Sequence, residues 1–442
     1  MLRRPGDTGA AVIPQVPIKD TAFPTPFSAG LEYSAPARGT WTIVHVGMLV
    51  PEAHEIFVCA AGCLRGVVLS AAEMNLSHRF STIAIEEQNV LEGDMEQLII
   101  DGVTDILTRL PKKPPAVLLY TSCIHHFMGC DLSLCYRTLR ERFPEVDFTD
   151  CYMIPTMRKS GLTPDQIMRR QLYSLLPEDA PKAKACAVLG NCFPTDDSSD
   201  LALLVREAGF DLREITRCGS YGEYKRMAES SVYITTQPVA KAGGDALAAR
   251  LGGRHLYLPM SYDPAEIREN LTSLAQALGT DYDGGAAAET LAEQALTDAR
   301  AVIGDTPIAI DYTFTPRPLG LARLLLSHGF AVERLYTDSF SGEERADWDW
   351  LRENAPELLV LPTVHPAMRR AERWTSKKTL ALGQKAAYFT DSRHFVNQVE
   401  GGGRYGFDGI RRLAEDMIFA YSTEQDTDRL IQIKGLGCES CV

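Results

Sequence analysis

Pro115–Ser122 reads PAVLLYTS, a near-continuous apolar run, and an amphipathic segment, Asp131–Arg142, follows it. A run that is apolar on both faces fits a strand inside a parallel sheet with helices above and below it. The pattern recurs along the chain. Thr40–Val46 and Phe80–Ile85 read as strands, and Gly62–Met74 and Leu91–Leu110 as helices. The rhythm restarts at Ala185–Gly190 and runs on through Ser231–Thr236 and His255–Pro259. It restarts again at Pro307–Phe314, with Leu358–Val364 and Ala386–Thr390 as further apolar runs. Strands alternating with helices of this length imply parallel sheets joined by right-handed crossovers. The expected fold class is α/β, with three doubly wound Rossmann-like domains over 39–182, 183–303 and 304–430.

Outside those blocks the chain changes character. Residues 1–38 carry Pro5, Pro14, Pro17, Pro24, Pro26 and Pro36 and show no periodicity. They read as an extended arm, disordered alone and able to wrap a neighbour in an oligomer. Residues 431–442 read as a tail. The whole chain of 442 residues suits two to four domains, and a net charge of −13 speaks against nucleic acid and anionic membranes. No stretch approaches the roughly 20 apolar residues of a membrane span. The start, MLRRPGDTGAAVIPQ, has no apolar core behind its arginines, so no signal peptide and a cytoplasmic location are expected.

Ligands of open parallel sheets sit beyond the carboxyl ends of the strands. The positions just after the apolar runs are Cys123, Thr236–Gln237, His365 and the Asp391–His394 region. Eleven cysteines, odd in number and irregular in spacing, do not form a disulfide pattern. Cys186, Cys192 and Cys218 lie in or beside apolar runs and read as packing residues, as do Cys130 and Cys135 around the Asp131–Arg142 helix. In HEIFVCAAGC, Cys59 and Cys63 are four apart and would share a helix face; tight packing of small residues explains this segment equally well. In TSCIHHFMGC, Cys123 ends a buried strand and opens a polar, thiol-rich loop that is costly to desolvate unless its groups are paired or bound. Thiolates are soft donors that suit iron. GGGRYGFDGIRRLAEDM, from Gly401, combines a glycine run permitting close backbone approach with an amphipathic helix. Gly402 and Gly403 are candidate binding positions there, beside Thr236 and Gln237. The end, GLGCESCV, holds Cys438 and Cys441 as a CxxC for which a redox pair, a metal half-site and no function are all open.

These segments together resemble the nitrogenase component 1 superfamily: nitrogenase α and β subunits, protochlorophyllide reductase subunits and nickel-sirohydrochlorin cyclase. His54 lies five residues before Cys59, as a histidine does before a cluster cysteine in the family. IEEQNVLEGDMEQLI, the TSC setting of Cys123, and GFDGIRRLAEDM near the end are similar to family segments in the same order. The resemblance covers nearly the whole chain after the arm. It implies a reductase subunit that pairs with an identical or similar component 1 chain. An iron–sulfur cluster, [4Fe-4S] or larger, would lie at the subunit interface and receive electrons from an ATP-hydrolysing iron protein. Cys59 and Cys123 would be cluster ligands. No cysteine precedes Cys59, so Cys63 or the partner would complete the set. No G-x(4)-G-K-[ST] loop occurs in the chain, which places ATP chemistry on the partner.

The family's cofactor cysteine should fall near Val232–Gln237, which reads VYITTQ and offers no sulfur. His394 is the candidate for the cofactor histidine, and His365, Arg393 and Arg404 are candidate cavity residues that bind substrate or deliver protons. A second metallocluster or a tetrapyrrole-type substrate remains open, and dinitrogen reduction is not expected. The alternative to a reductase is a non-catalytic scaffold or carrier for metallocluster assembly; a plain binding module is a third reading.

Overall fold

The computed structural model describes residues 14–154 apart from 34, 36 and 38, then 161–371 and 377–427. The tail with Cys438 and Cys441 lies outside the described residues. Two residues of the arm form β1 (Val16–Pro17). The first sheet holds β2 (His54–Ala60), β3 (Phe80–Ile85), β4 (Ala116–Ser122) and β5 (Asp147–Met153), in the order β3-β2-β4-β5. The second holds β6 (Ala183–Leu189), β7 (Asp211–Glu214), β8 (Ser230–Thr235) and β9 (Arg254–Tyr257), in the order β7-β6-β8-β9. The third holds β10 (Ile308–Asp311), β11 (Val332–Tyr336), β12 (Leu359–Leu361), β13 (Leu380–Leu382) and β14 (Phe395–Val396), with β1 at its edge: β1-β12-β11-β10-β13-β14. All pairings are parallel except β1 with β12. The expected α/β class with Rossmann-like parallel sheets is therefore observed.

In each sheet the strand order reverses once: between β2 and β4, between β6 and β8, and between β10 and β13. At such a reversal the crossovers leave to opposite faces, and a crevice opens beyond the carboxyl ends. β4 shows why its sequence was so apolar, since all seven of its residues are buried. Phe57 of β2 stacks on Tyr120 of β4 with ring centroids 3.9 Å apart, fixing the two strands that flank the first crevice.

Several local expectations are corrected. Thr40–Val46 is not a strand; Ile43–Gly47 is a short helix. Its β-branched residues satisfy strand propensity, but Thr42 caps the helix, and its N–H donates to His45 Nδ1 at 3.0 Å. The helix expected over Leu91–Leu110 is two, Glu87–Glu92 and Met95–Arg109, separated by Gly93 in the left-handed region at φ 70°. Ala386–Thr390 is not a strand but part of the helix Gln384–Thr390; the strand is the shorter β13 before it. The described part of the arm wraps its own chain. Val16 pairs with Val360, Ile18 is fully buried, and Phe23 packs on Trp348 with ring centroids 5.5 Å apart.

His54, at the start of β2, supplies a pH handle. Its Nε2 lies 2.7 Å from Ser81 Oγ, and burial, with Arg79 and His78 nearby, pushes its pKa down to about 4. The folded state thus favours neutral imidazole. The associated stability is complete above the ordinary histidine value and is lost as pH falls towards 4. With about 1.4 kcal/mol per pKa unit, the loss is about 3 kcal/mol. In urea unfolding at pH 7 and pH 4.5, His54→Gln is expected to show a smaller acid loss than the unaltered protein. Equal losses would refute the assignment.

Candidate functional site

The first crevice brings the predicted cysteines together. Val58 of β2 pairs with Thr121 of β4, so Cys59 and Ser122 occupy the next rung and Cys123 follows. Cys59 is fully buried in β2, not on the helix shared with Cys63 that its spacing suggested. Cys63 is exposed in the first turn of the helix Ala61–Glu73. Cys123, half-buried, opens the helix Cys123–Met128, whose N-cap Ser122 donates its N–H to His125 Nδ1 at 3.1 Å. Burial pushes the Cys59 thiol up to about 12, and Cys63 and Cys123 add to the rise.

A thiol raised that far stays protonated at neutral pH unless a metal takes up the thiolate charge. Among the described residues, no group of three His, Cys, Asp or Glu side chains could hold a single metal ion. Thiols spread over two adjacent strand ends instead suit a cluster, in which different irons take different cysteines. On this donor chemistry, Cys59, Cys63 and Cys123 fit part of an iron–sulfur ligand set. Exposed apolar side chains stand on the same two helices, Phe127 at 70% exposure and Val68 at 43%.

The second crevice joins the other predicted positions. Thr236 and Gln237 follow β8, and with Cys192, Gly403 and Arg404 they line a cavity of about 30 Å³. Gln237 Nε2 donates to the Glu400 carbonyl at 3.2 Å. Gly403, at φ 83°, approaches so closely that a Cβ would lie 2.0 Å from the Pro194 carbonyl oxygen. Gly402 lies in the same turn, at φ 57°. Arg404 pairs with Asp416, and its buried Nη1 has no partner among the described residues. Beside the cavity, Arg169 is fully buried. It donates to the Gly190 carbonyl at 3.0 Å, to Cys192 Sγ at 3.2 Å, to Glu400 Oε2 at 3.2 Å and to Asp165. The other Glu400 oxygen accepts from the Trp41 N–H at 3.1 Å.

The family described as Nitrogenase component 1 type Oxidoreductase matches residues 42–420. This chain belongs to that family. Among solved structures it is similar to "Nitrogenase Cp1 at pH 6.5", with a TM-score of 0.65 over 90% of this chain and 94% of that one, at 13% identity. It is also similar to "Nitrogenase Cp1 at pH 5", with a TM-score of 0.55 over 89% and 90% and 11% identity. At these identities the likeness shows the fold. No curated protein matches the chain.

As a nitrogenase component 1 type chain, it keeps some predicted residues apart from both crevices. His394 precedes β14, at the amino end of that strand, and its Nδ1 bonds the Ala420 carbonyl at 3.0 Å. The segment before it, Ala386–Thr390, is helical, so His394 does not follow the carboxyl end of a strand. Arg393 is exposed, 3.9 Å from Glu424. His365 is exposed and accepts from the Ala367 N–H at 3.2 Å, capping the turn Pro366–Arg370. The residues not foreseen are Asp165, Arg169 and Glu400. Glu400, a non-glycine residue at φ 50° just before the glycine run, was the one available signal. Among the described residues, no helix is long and apolar enough to cross a membrane.

Proposed function

We propose that this component 1 type chain is the catalytic subunit of a nitrogenase-like reductase and that Cys59, Cys63 and Cys123 donate thiolates to an iron–sulfur cluster. The observation that supports this reading is the placement of Cys59 near the carboxyl end of β2 and of Cys123 just beyond β4, at the strand reversal of the first sheet, with Cys63 in the helix that follows β2. An iron–sulfur cluster of four or more irons would supply low-potential electron transfer there. Cys59 would hold it from the sheet, and Cys123 from the adjacent strand end. Cys63 is exposed, and the exposed Val68 and Phe127 stand on the two helices that follow β2 and β4; a homologous component 1 chain would cover such apolar surface and complete the ligands. Electrons would come from an ATP-hydrolysing iron protein.

The second crevice does not fit a second metallocluster. Its thiol, Cys192, is in contact with Arg169, Thr236 and Gln237 carry no sulfur or imidazole, and about 30 Å³ holds little more than water. Thr236, Gln237, Gly402, Gly403 and Arg404 instead form a polar joint between the second and third sheets. Dinitrogen reduction is therefore not proposed. Protein purified anaerobically with its partner is expected to contain iron and acid-labile sulfide and to turn over with an iron protein and ATP. Absence of iron would end this reading. Iron that is released intact to an acceptor protein without turnover would favour the scaffold alternative.

A further inference from the structure

The largest space near the cysteine crevice has no assigned occupant. It is a cavity of about 450 Å³ at the carboxyl end of β5, walled by Trp41, Ile43, Met153, Ile154 and Pro164, with Asp165 among its lining residues. That volume falls within the range of small-molecule sites, which are mainly apolar with a few placed polar groups. Met153 pairs with Ser122 across the β4–β5 ladder, and Cys123 follows Ser122 directly. Adjacent strands lie about 4.8 Å apart, so the cavity wall begins one strand away from the cysteine crevice.

The polar groups in the wall narrow the choice of ligand. The hydroxyls of Thr42 and Thr163 are engaged in their own helix caps, with His45 Nδ1 at 2.8 Å and the Gln166 N–H at 3.3 Å. Arg169 takes Asp165 Oδ1, while Oδ2 carries no hydrogen bond among the described residues and the side chain is 41% exposed. Arg169 offsets its charge only in part, because the same guanidinium also faces Glu400. Among the described residues of this wall an anion finds no free cation. A neutral molecule with one hydrogen-bond donor finds apolar walls and a carboxylate oxygen that can accept from it.

The geometry points to this cavity as the binding site for a neutral, mainly apolar organic molecule bearing one O–H or N–H donor, held by Asp165 Oδ2. That the molecule is the substrate of the neighbouring cluster rests on the reductase reading; the binding itself does not.

The probe is N-phenyl-1-naphthylamine, neutral and apolar with a single N–H, added to the full-length protein with its partner. Its fluorescence is expected to rise saturably, with about one dye per chain. Filling the cavity from either wall, with Ile154→Trp or Thr40→Trp, is expected to weaken binding at least tenfold with the melting temperature retained. Asp165→Ala is expected to weaken it about fivefold, the value of one modest hydrogen bond. Unsaturable binding, or unchanged affinity in a folded filling variant, overturns the assignment. So does binding lost in Phe127→Ser alone, which would place the dye on the outer apolar surface. Iron is measured on the same samples. Iron-free protein that still binds the dye overturns the reductase reading and leaves the cavity assignment standing.

Discussion

Cys123→Ala is expected to lower the iron and acid-labile sulfide of the anaerobically purified protein at least about tenfold, while Cys135→Ala leaves both near the unaltered level. The two cysteines are twelve positions apart and differ in what surrounds their sulfurs. Cys123 is half-buried at the first residue of a helix, directly beyond β4 at the strand reversal of the first sheet. Cys135 is fully buried within the helix Leu132–Arg142, its Sγ 3.8 Å from the Glu96 carbonyl. Burial, followed by Glu96 and Cys130, pushes its thiol up to about 12, and it lies inside its helix rather than at a strand end. Circular dichroism and melting temperature would show that each variant folds. Equal iron in the two variants would remove Cys123 from the ligand set.

A second large effect is expected away from the cysteines. Arg169→Met should destabilise the fold by about 3–5 kcal/mol, because it leaves Glu400 nearly buried with its charge unmatched. Glu400 is 10% exposed and keeps the Trp41 N–H and the Cys192 thiol as neighbouring donors. The double variant Arg169→Met with Glu400→Met should lose less than the single one, since a buried pair replaced as a whole leaves no stranded charge. Denaturant unfolding of the three proteins measures both differences. A single variant within about 1 kcal/mol of the unaltered protein would mean that water reaches Glu400 and that the pair is not a joint.

What could be read from the chain alone follows from how local each cause is. β4 was legible because burial on both faces demands an unbroken apolar run, and PAVLLYTS supplies one. The position of Cys123 was legible because it ends such a run, whereas the spacing of Cys59 from Cys63 suggested a helix where β2 continues. Ile43–Gly47 was not, because the six β-branched or aromatic residues of Thr40–Val46 outweighed a cap made by Thr42 and His45. β13 was missed because three residues, LAL, are too few to show a period, while the helix after it carries the apolar stretch AAYF. Arg169 was invisible for a different reason. Its partner Glu400 lies 231 positions away, and an arginine in MRRQ looks like any surface residue until three segments of the fold close around it.

The arm strand β1 has a consequence for how copies of this chain can associate. An uncovered β12 would present a row of free N–H and C=O groups, and such an edge recruits further strands, from copies of itself or from other chains. β1 occupies that row for two residues, and Pro17 has no N–H to pass the ladder on. Growth by strand addition is thereby blocked on this side of the largest sheet. Association is left to side-chain surfaces such as the one around Cys63 and Phe127, whose shape sets a finite stoichiometry rather than an open-ended fibre.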